Sequence, residues 1–205
     1  MILKRLLPVL LLFVSSQALA QLEPFTDYDI SKVTDQHPGH FWNESRGNLS
    51  PILEQLLELG LDVVELELGF DLHVRGDAAA NLMRLSALHI PVIEVPDEKS
   101  FSEHKSDIAR SGLLVDAILG TGLTSDVRGF FKLVIEFINR TGIPVFAVDI
   151  PSGLNSDTGQ PCGTAIQAQG TATFALAKIG HYTYPGAAYT GKLEIIDIGI
   201  PETVV

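Results

Sequence analysis

Between Leu113 and Pro201 the chain repeats one device: a short apolar run that stops abruptly at glycine, aspartate, serine or proline. The runs read LLVDAILGTGLTSDVRG, PVFAVDIPSGLNSDTG, TATFALAKIG and KLEIIDIGIP. Apolar residues on consecutive rather than alternating positions mark strands buried on both faces. The spacing predicts strands over 61–68, 91–95, 113–119, 145–150, 171–177 and 193–198. Helices are predicted over 50–60, 76–88 and 127–140, with a loop and helix over 97–110. This alternation makes an α/β chain with a mostly parallel sheet covered on both faces, joined by right-handed crossovers. Phe130, Phe131, Val134, Phe137 and Ile138 form the stripe by which the 127–140 helix faces the core.

The 205 residues suffice for one domain with a full core, and the net charge of −11 with pI near 4.8 speaks against a nucleic-acid partner. The first twenty residues read as a signal peptide. Lys4 and Arg5 supply the basic region, 6–14 the apolar region, and Ala18-Leu19-Ala20 the small-residue cleavage pattern. Export to the periplasm or outside the cell, with cleavage after Ala20, is the expectation; a hydrophobic helix retained in the fold is the alternative. No apolar stretch is long enough to span a bilayer as a helix. Residues 21–49 read as an irregular arm and 50–205 as the folded domain. Cys162 is the only cysteine, so no internal disulfide forms, and nothing in its local sequence lowers a thiol pKa. Sequons begin at Asn43, Asn48 and Asn139, and the pair His37 and His40 reads as a solvated loop rather than a metal site.

Chemistry-bearing residues gather at the strand ends, where open α/β sheets bind ligands. Gly120, Thr121 and Gly122 make a turn, and Thr124, Ser125 and Asp126 are candidate caps of the next helix. Such a turn suits a phosphate, although a tight turn without a ligand has the same local pattern. The dinucleotide fingerprint G-x-G-x-x-G is incomplete because Ser125 stands at the third glycine position. That counts against an NAD-dependent dehydrogenase. Asp149, followed by Pro151, Ser152 and Gly153, is a general base, a ribose or cation anchor, or a carboxylate capping its own turn. Ser152 is not a hydrolase nucleophile, since Ile150 replaces the first glycine of G-x-S-x-G. Lys178 closes a strand, where a lysine neutralises phosphate, moves a proton or is simply solvated. Asp116 and Ser152 offer a carboxylate and a hydroxyl to a hard cation.

Taken in order, VDAILGTGLTSDVRG (115–129), VDIPSGLNSDTG (148–159), FALAKIG (174–180) and DIGIP (197–201) resemble the YjeF N-terminal domain family. So does GDAAANLMRLSALHIPV at 76–92. Enzymatic members of that family are NAD(P)H-hydrate epimerases. The resemblance implies a three-layer α/β/α sandwich with a Rossmann-like sheet, commonly dimeric, so a homodimer is expected. It implies that Gly120, Thr121, Gly122, Leu123, Thr124, Ser125 and Asp126 cradle hydrated NADH or NADPH, with Asp149 at the reacting carbon and Lys178 as its helper. It also implies a potassium ion on Asp116 and Ser152. One motif departs: the family's GNNGGDG loop falls at 43–49, which here reads NESRGNL with the single glycine Gly47. That loss sustains an alternative, an exported module of the same fold that binds a nucleotide or a protein without turnover.

Overall fold

The computed structural model describes residues 10–15, 63–69 and 89–197. The helices expected at 50–60 and 76–88 lie outside the described residues, as do the arm at 21–49, His37, His40, Asn43, Asn48 and the 43–49 segment. The strands are β1 (Leu10–Ser15), β2 (Val63–Leu68), β3 (Val92–Val95), β4 (Ser111–Ala117), β5 (Val145–Val148), β6 (Gly170–Phe174) and β7 (Lys192–Ile196). The helices are α1 (Glu98–Ile108), α2 (Gly129–Thr141), α3 (Ile179–Tyr182) and α4 (Gly186–Thr190). One sheet joins all seven strands in the order β3-β2-β1-β4-β5-β6-β7. The α/β class and mostly parallel sheet are as expected.

Pairing is parallel at every step except around β1, which is antiparallel to both neighbours. Leu12 pairs with Glu65 of β2 and with Val115 of β4. This strand comes from the same apolar run that the leader pattern uses. Six residues reading LLLFVS suit a strand with partners on both sides.

Two strands are shorter than the apolar runs suggested. β5 stops at Val148 because Asp149 takes a left-handed backbone, φ 67°, and β6 stops at Phe174 because Ala175 does the same at φ 61°. Neither turn is announced by glycine. α2 begins later than expected, at Gly129 with Arg128 at its N-cap. Thr124, Ser125 and Asp126 therefore lie in the preceding loop and do not cap it. The reason is Val127, which is buried and donates its N–H to the Cys162 carbonyl at 2.9 Å, holding the chain out of the helix.

α1 starts where Asp97 accepts from the Ser100 N–H at 2.8 Å while Ser100 Oγ accepts from the Asp97 N–H at 3.1 Å. That reciprocal pair satisfies two otherwise open donors. Phe101 of α1 meets Phe130 and Phe137 of α2 edge-on, with centroids 5.9 and 5.4 Å apart. The core lies beneath, where Val134, Ile135 and Ile138 of α2 meet Leu66, Val95 and Leu114. A smaller cluster of Ile150, Leu154 and Ala165, with Tyr189 against it, supports the turn after β5. Asn139, the last sequon, spends its amide on the Ala165 carbonyl and the Gln167 N–H, at 2.9 and 3.0 Å.

Candidate functional site

The C-terminal ends of β4, β5 and β6 lie side by side, and the turns leaving them interlock. Ser152 Oγ accepts from the Leu119 N–H at 2.7 Å and lies 3.2 Å from the Leu119 carbonyl. Ser156 Oγ donates to the Thr121 carbonyl at 3.2 Å, and Asn155 Nδ2 donates to the Leu123 carbonyl at 3.3 Å. The turn after β5 therefore carries the turn after β4 on its side chains. Gly153 permits this: at φ 92°, a Cβ there would lie 2.8 Å from Ala165 Cα. Gly120, Gly122, Thr124, Ser125 and Asp126 are exposed along the outer turn, with Thr121 and Leu123 half-buried.

Asp116, near the end of β4, is fully buried. Its Oδ1 accepts from Ser152 Oγ at 2.5 Å and from the Ile118 N–H at 3.2 Å, and its Oδ2 from the Ser152 N–H at 2.8 Å. Burial pushes its pKa from 3.8 up to about 6, against the pull of these donors. Below pH 3.8 the folded and unfolded chains both carry the proton. Between 3.8 and about 6 only the folded chain keeps it, so this group's contribution to stability falls as pH rises through that window, by about 3 kcal/mol in all. Asp116→Asn is expected to abolish that slope, read as urea midpoints from pH 4 to 7. Besides these donors, the oxygens gathered here are those of Asp116, Ser152 Oγ and the Leu119 carbonyl. That donor set suits a hard cation, which would offset the buried charge. Among the described residues no group of three or more His, Cys, Asp or Glu comes together.

Asp149 faces the other flank of β5 and is also buried. Its Oδ1 accepts from Thr173 Oγ1 at 3.0 Å and from the Phe174 N–H at 3.2 Å, and forms an ion pair with Lys178 Nζ. Thr173 Oγ1 also accepts from Lys178 Nζ at 2.7 Å, so the hydroxyl bonds to both members of the pair. Among the described residues every hydrogen bond to this carboxylate falls on Oδ1. The left-handed turn at Asp149 directs the side chain back over β6. Of the alternatives for Asp149, capping its own turn does not describe this arrangement, because its partners belong to β6 and the segment after it.

The structure brings Asp116 together with Ser152, and Asp149 with Lys178, at one rim. The 120–126 turn leaves the end of β4 beside the Asp116–Ser152 cluster and is tied to the 152–156 turn. Thr173 and His181 escaped the sequence reading. A threonine within a strand and a histidine within a short helix carry no local signal; only their meeting with Lys178 and Asp149 singles them out. Cys162 stays outside the chemistry, since burial and the nearby Asp126 charge push its thiol pKa up.

Residues 52–180 match the family described as YjeF-related protein N-terminus. The bifunctional NAD(P)H-hydrate repair enzyme Nnr of Moorella thermoacetica is 38% identical over 154 residues, 75% of this chain and 29% of that protein. The NAD(P)H-hydrate epimerase of Pirellula staleyi is 33% identical over 154 residues, covering 75% of this chain and 68% of that protein. The chain thus spans less than a third of the bifunctional relative and about two thirds of the epimerase. In three dimensions the chain is similar to the crystal structure of the yeast protein ynu0. The TM-score is 0.55 at 18% identity, covering 93% of this chain and 90% of that one, a likeness of fold.

Proposed function

Because the chain belongs to the YjeF-related protein N-terminus family, we propose that it interconverts the R and S epimers of hydrated NADH and NADPH. The observation that carries this reading is the Asp149–Lys178 ion pair, bridged as well by Thr173, at the rim where the turns after β4 and β5 interlock. Relatives named for hydrate repair support the same substrate class.

In the hydrate, ring carbon C6 bears a hydroxyl beside the ring nitrogen. The nitrogen lone pair expels that oxygen once it receives a proton, leaving an iminium and a water molecule. Water adds to the opposite face and surrenders one proton, so the net reaction is proton-neutral. An ammonium and a carboxylate held together supply both movements: Lys178 Nζ donates, and Asp149 Oδ2, the oxygen without a bond among the described residues, accepts. The exposed backbone of 120–126 receives the pyrophosphate, and holding it there keeps the ring at the ion pair.

Potassium is the expected companion ion, with Asp116 and Ser152 as its ligands. Positive charge there would relieve the buried carboxylate and fasten the turns after β4 and β5 to one another. A higher melting temperature at pH 7 in potassium than in choline chloride of equal ionic strength, lost in Asp116→Asn, supports this.

The decisive experiment mixes purified chain with the R hydrate and follows the S form. Conversion no faster than in buffer, with or without potassium, overturns the reading. The glycine-poor NESRGNL stretch favours a second reading, nucleotide binding without turnover; calorimetry with NADPH and its hydrate, combined with the same assay, separates the two. Residues 1–20 support export, tested by whether chain recovered outside the cytoplasm begins at Gln21. Exposed Leu176, Ile179, Tyr182 and Tyr184 support a homodimer, tested by sedimentation.

A further inference from the structure

Among the described residues, the one buried side-chain nitrogen or oxygen without a hydrogen-bond partner is His181 Nε2. The residue sits in α3, 2% exposed. Its Nδ1 accepts from the Lys178 backbone N–H at 3.1 Å, and its own backbone N–H returns to the Lys178 carbonyl at 3.1 Å. A ring nitrogen that accepts carries no proton, so the neutral imidazole holds its hydrogen on Nε2. Burial and the Lys178 charge push the ring pKa down; the Asp149 backbone carbonyl and carboxylate oppose them.

α3 is itself tightly seated. Gly180 donates its N–H to the Ser156 carbonyl at 2.6 Å, and a Cβ on Gly180 would come within 2.5 Å of the Asn155 carbonyl oxygen. Asn155 and Ser156 are the residues that hold the 121–123 turn. The imidazole therefore stands on a fixed base against the Lys178 peptide, and Lys178 in turn pairs with Asp149, whose left-handed φ of 67° needs support from its surroundings.

We infer that His181 is a positioning residue for the Asp149–Lys178 pair, gripping the Lys178 peptide through Nδ1. The inference deepens the epimerase reading, but its core is a statement about geometry that stands apart from turnover.

The test uses the full chain with His181→Phe and His181→Asn. Phe fills the volume without an acceptor, whereas the Asn amide oxygen can replace Nδ1. His181→Phe is expected to lower kcat about 10-fold or more with KM nearly unchanged, and His181→Asn to restore most of the loss. Equal impairment in both variants, or none in Phe, overturns the inference. Two measurements need no activity. Nitrogen-15 spectra of the wild-type chain should show a neutral ring protonated on Nε2 at pH 7; an Nδ1–H ring or an imidazolium overturns it. The Lys178 ammonium resonance should move in His181→Phe, and an unmoved resonance overturns it. A wild-type chain without epimerase activity would sink the functional reading while these spectra still decide this one. Should the Phe variant fail to fold, the wild-type tautomer and the Asn variant suffice.

Discussion

Replacing Asp149 by Asn is expected to lower kcat for hydrate epimerisation by about 10²- to 10⁴-fold while leaving KM nearly as it was. Asn keeps the shape, and its amide oxygen still accepts from Thr173 Oγ1 and the Phe174 N–H, so the left-handed turn and the seat of the side chain survive. What disappears is the ability to take a proton. The substitution is cleaner than Lys178→Ala, which would strand a carboxylate only 8% exposed and cost about 3–5 kcal/mol of stability. Steady-state kinetics beside a thermal melt separate the two effects. An Asn variant with wild-type kcat would remove Asp149 from the chemistry.

A chain that begins at Gln21 is expected to lose stability on the scale of the whole fold, about 5–15 kcal/mol, relative to the chain that begins at Met1. β1 is an interior strand, third of the seven, so its removal strips ladder hydrogen bonds from β2 and β4 at once and divides the sheet into β3–β2 and β4–β7. Urea unfolding of the two purified chains measures the difference. Equal midpoints and slopes would show that β1 is dispensable. The same comparison bears on export: cleavage after Ala20 is compatible with the described sheet only if another strand takes the vacated place.

Six of the seven strands were legible as apolar runs, because consecutive Val, Ile, Leu and Ala with a Gly, Asp or Pro stop have few other uses. β1 was legible as apolar but not as a strand. Leu10 to Ser15 have the composition of both a leader's apolar stretch and a doubly flanked strand, and no local residue separates the two. The ends of β5 and β6 differ from the apolar runs for another reason. Asp149 and Ala175 adopt positive φ without glycine, a choice imposed by tertiary contacts: Asp149 by its bonds to β6, Ala175 by its N–H to the Ile196 carbonyl at 2.8 Å. The α2 start slipped because the N–H of Val127 is claimed by Cys162, 35 positions along. Asp116, Asp149 and Ser152 are legible because strand ends are written in sequence, whereas Lys178, expected to close its strand, stands four residues past β6 at the N-cap of α3. Thr173 and His181 are not legible, since their importance is one of distance.

The direction of β1 has a consequence for how this protein can recruit a ligand. Leu10 pairs with Ala117, beside Asp116, and Ser15 pairs with Ser111 at the far edge. Were this strand parallel to its neighbours, the stretch following it would emerge at the rim. Reversed, it brings its first residue, Leu10, to the rim beside Asp116. One strand's polarity thus decides which end of β1 borders the proposed site, and processing after Ala20 would remove that border.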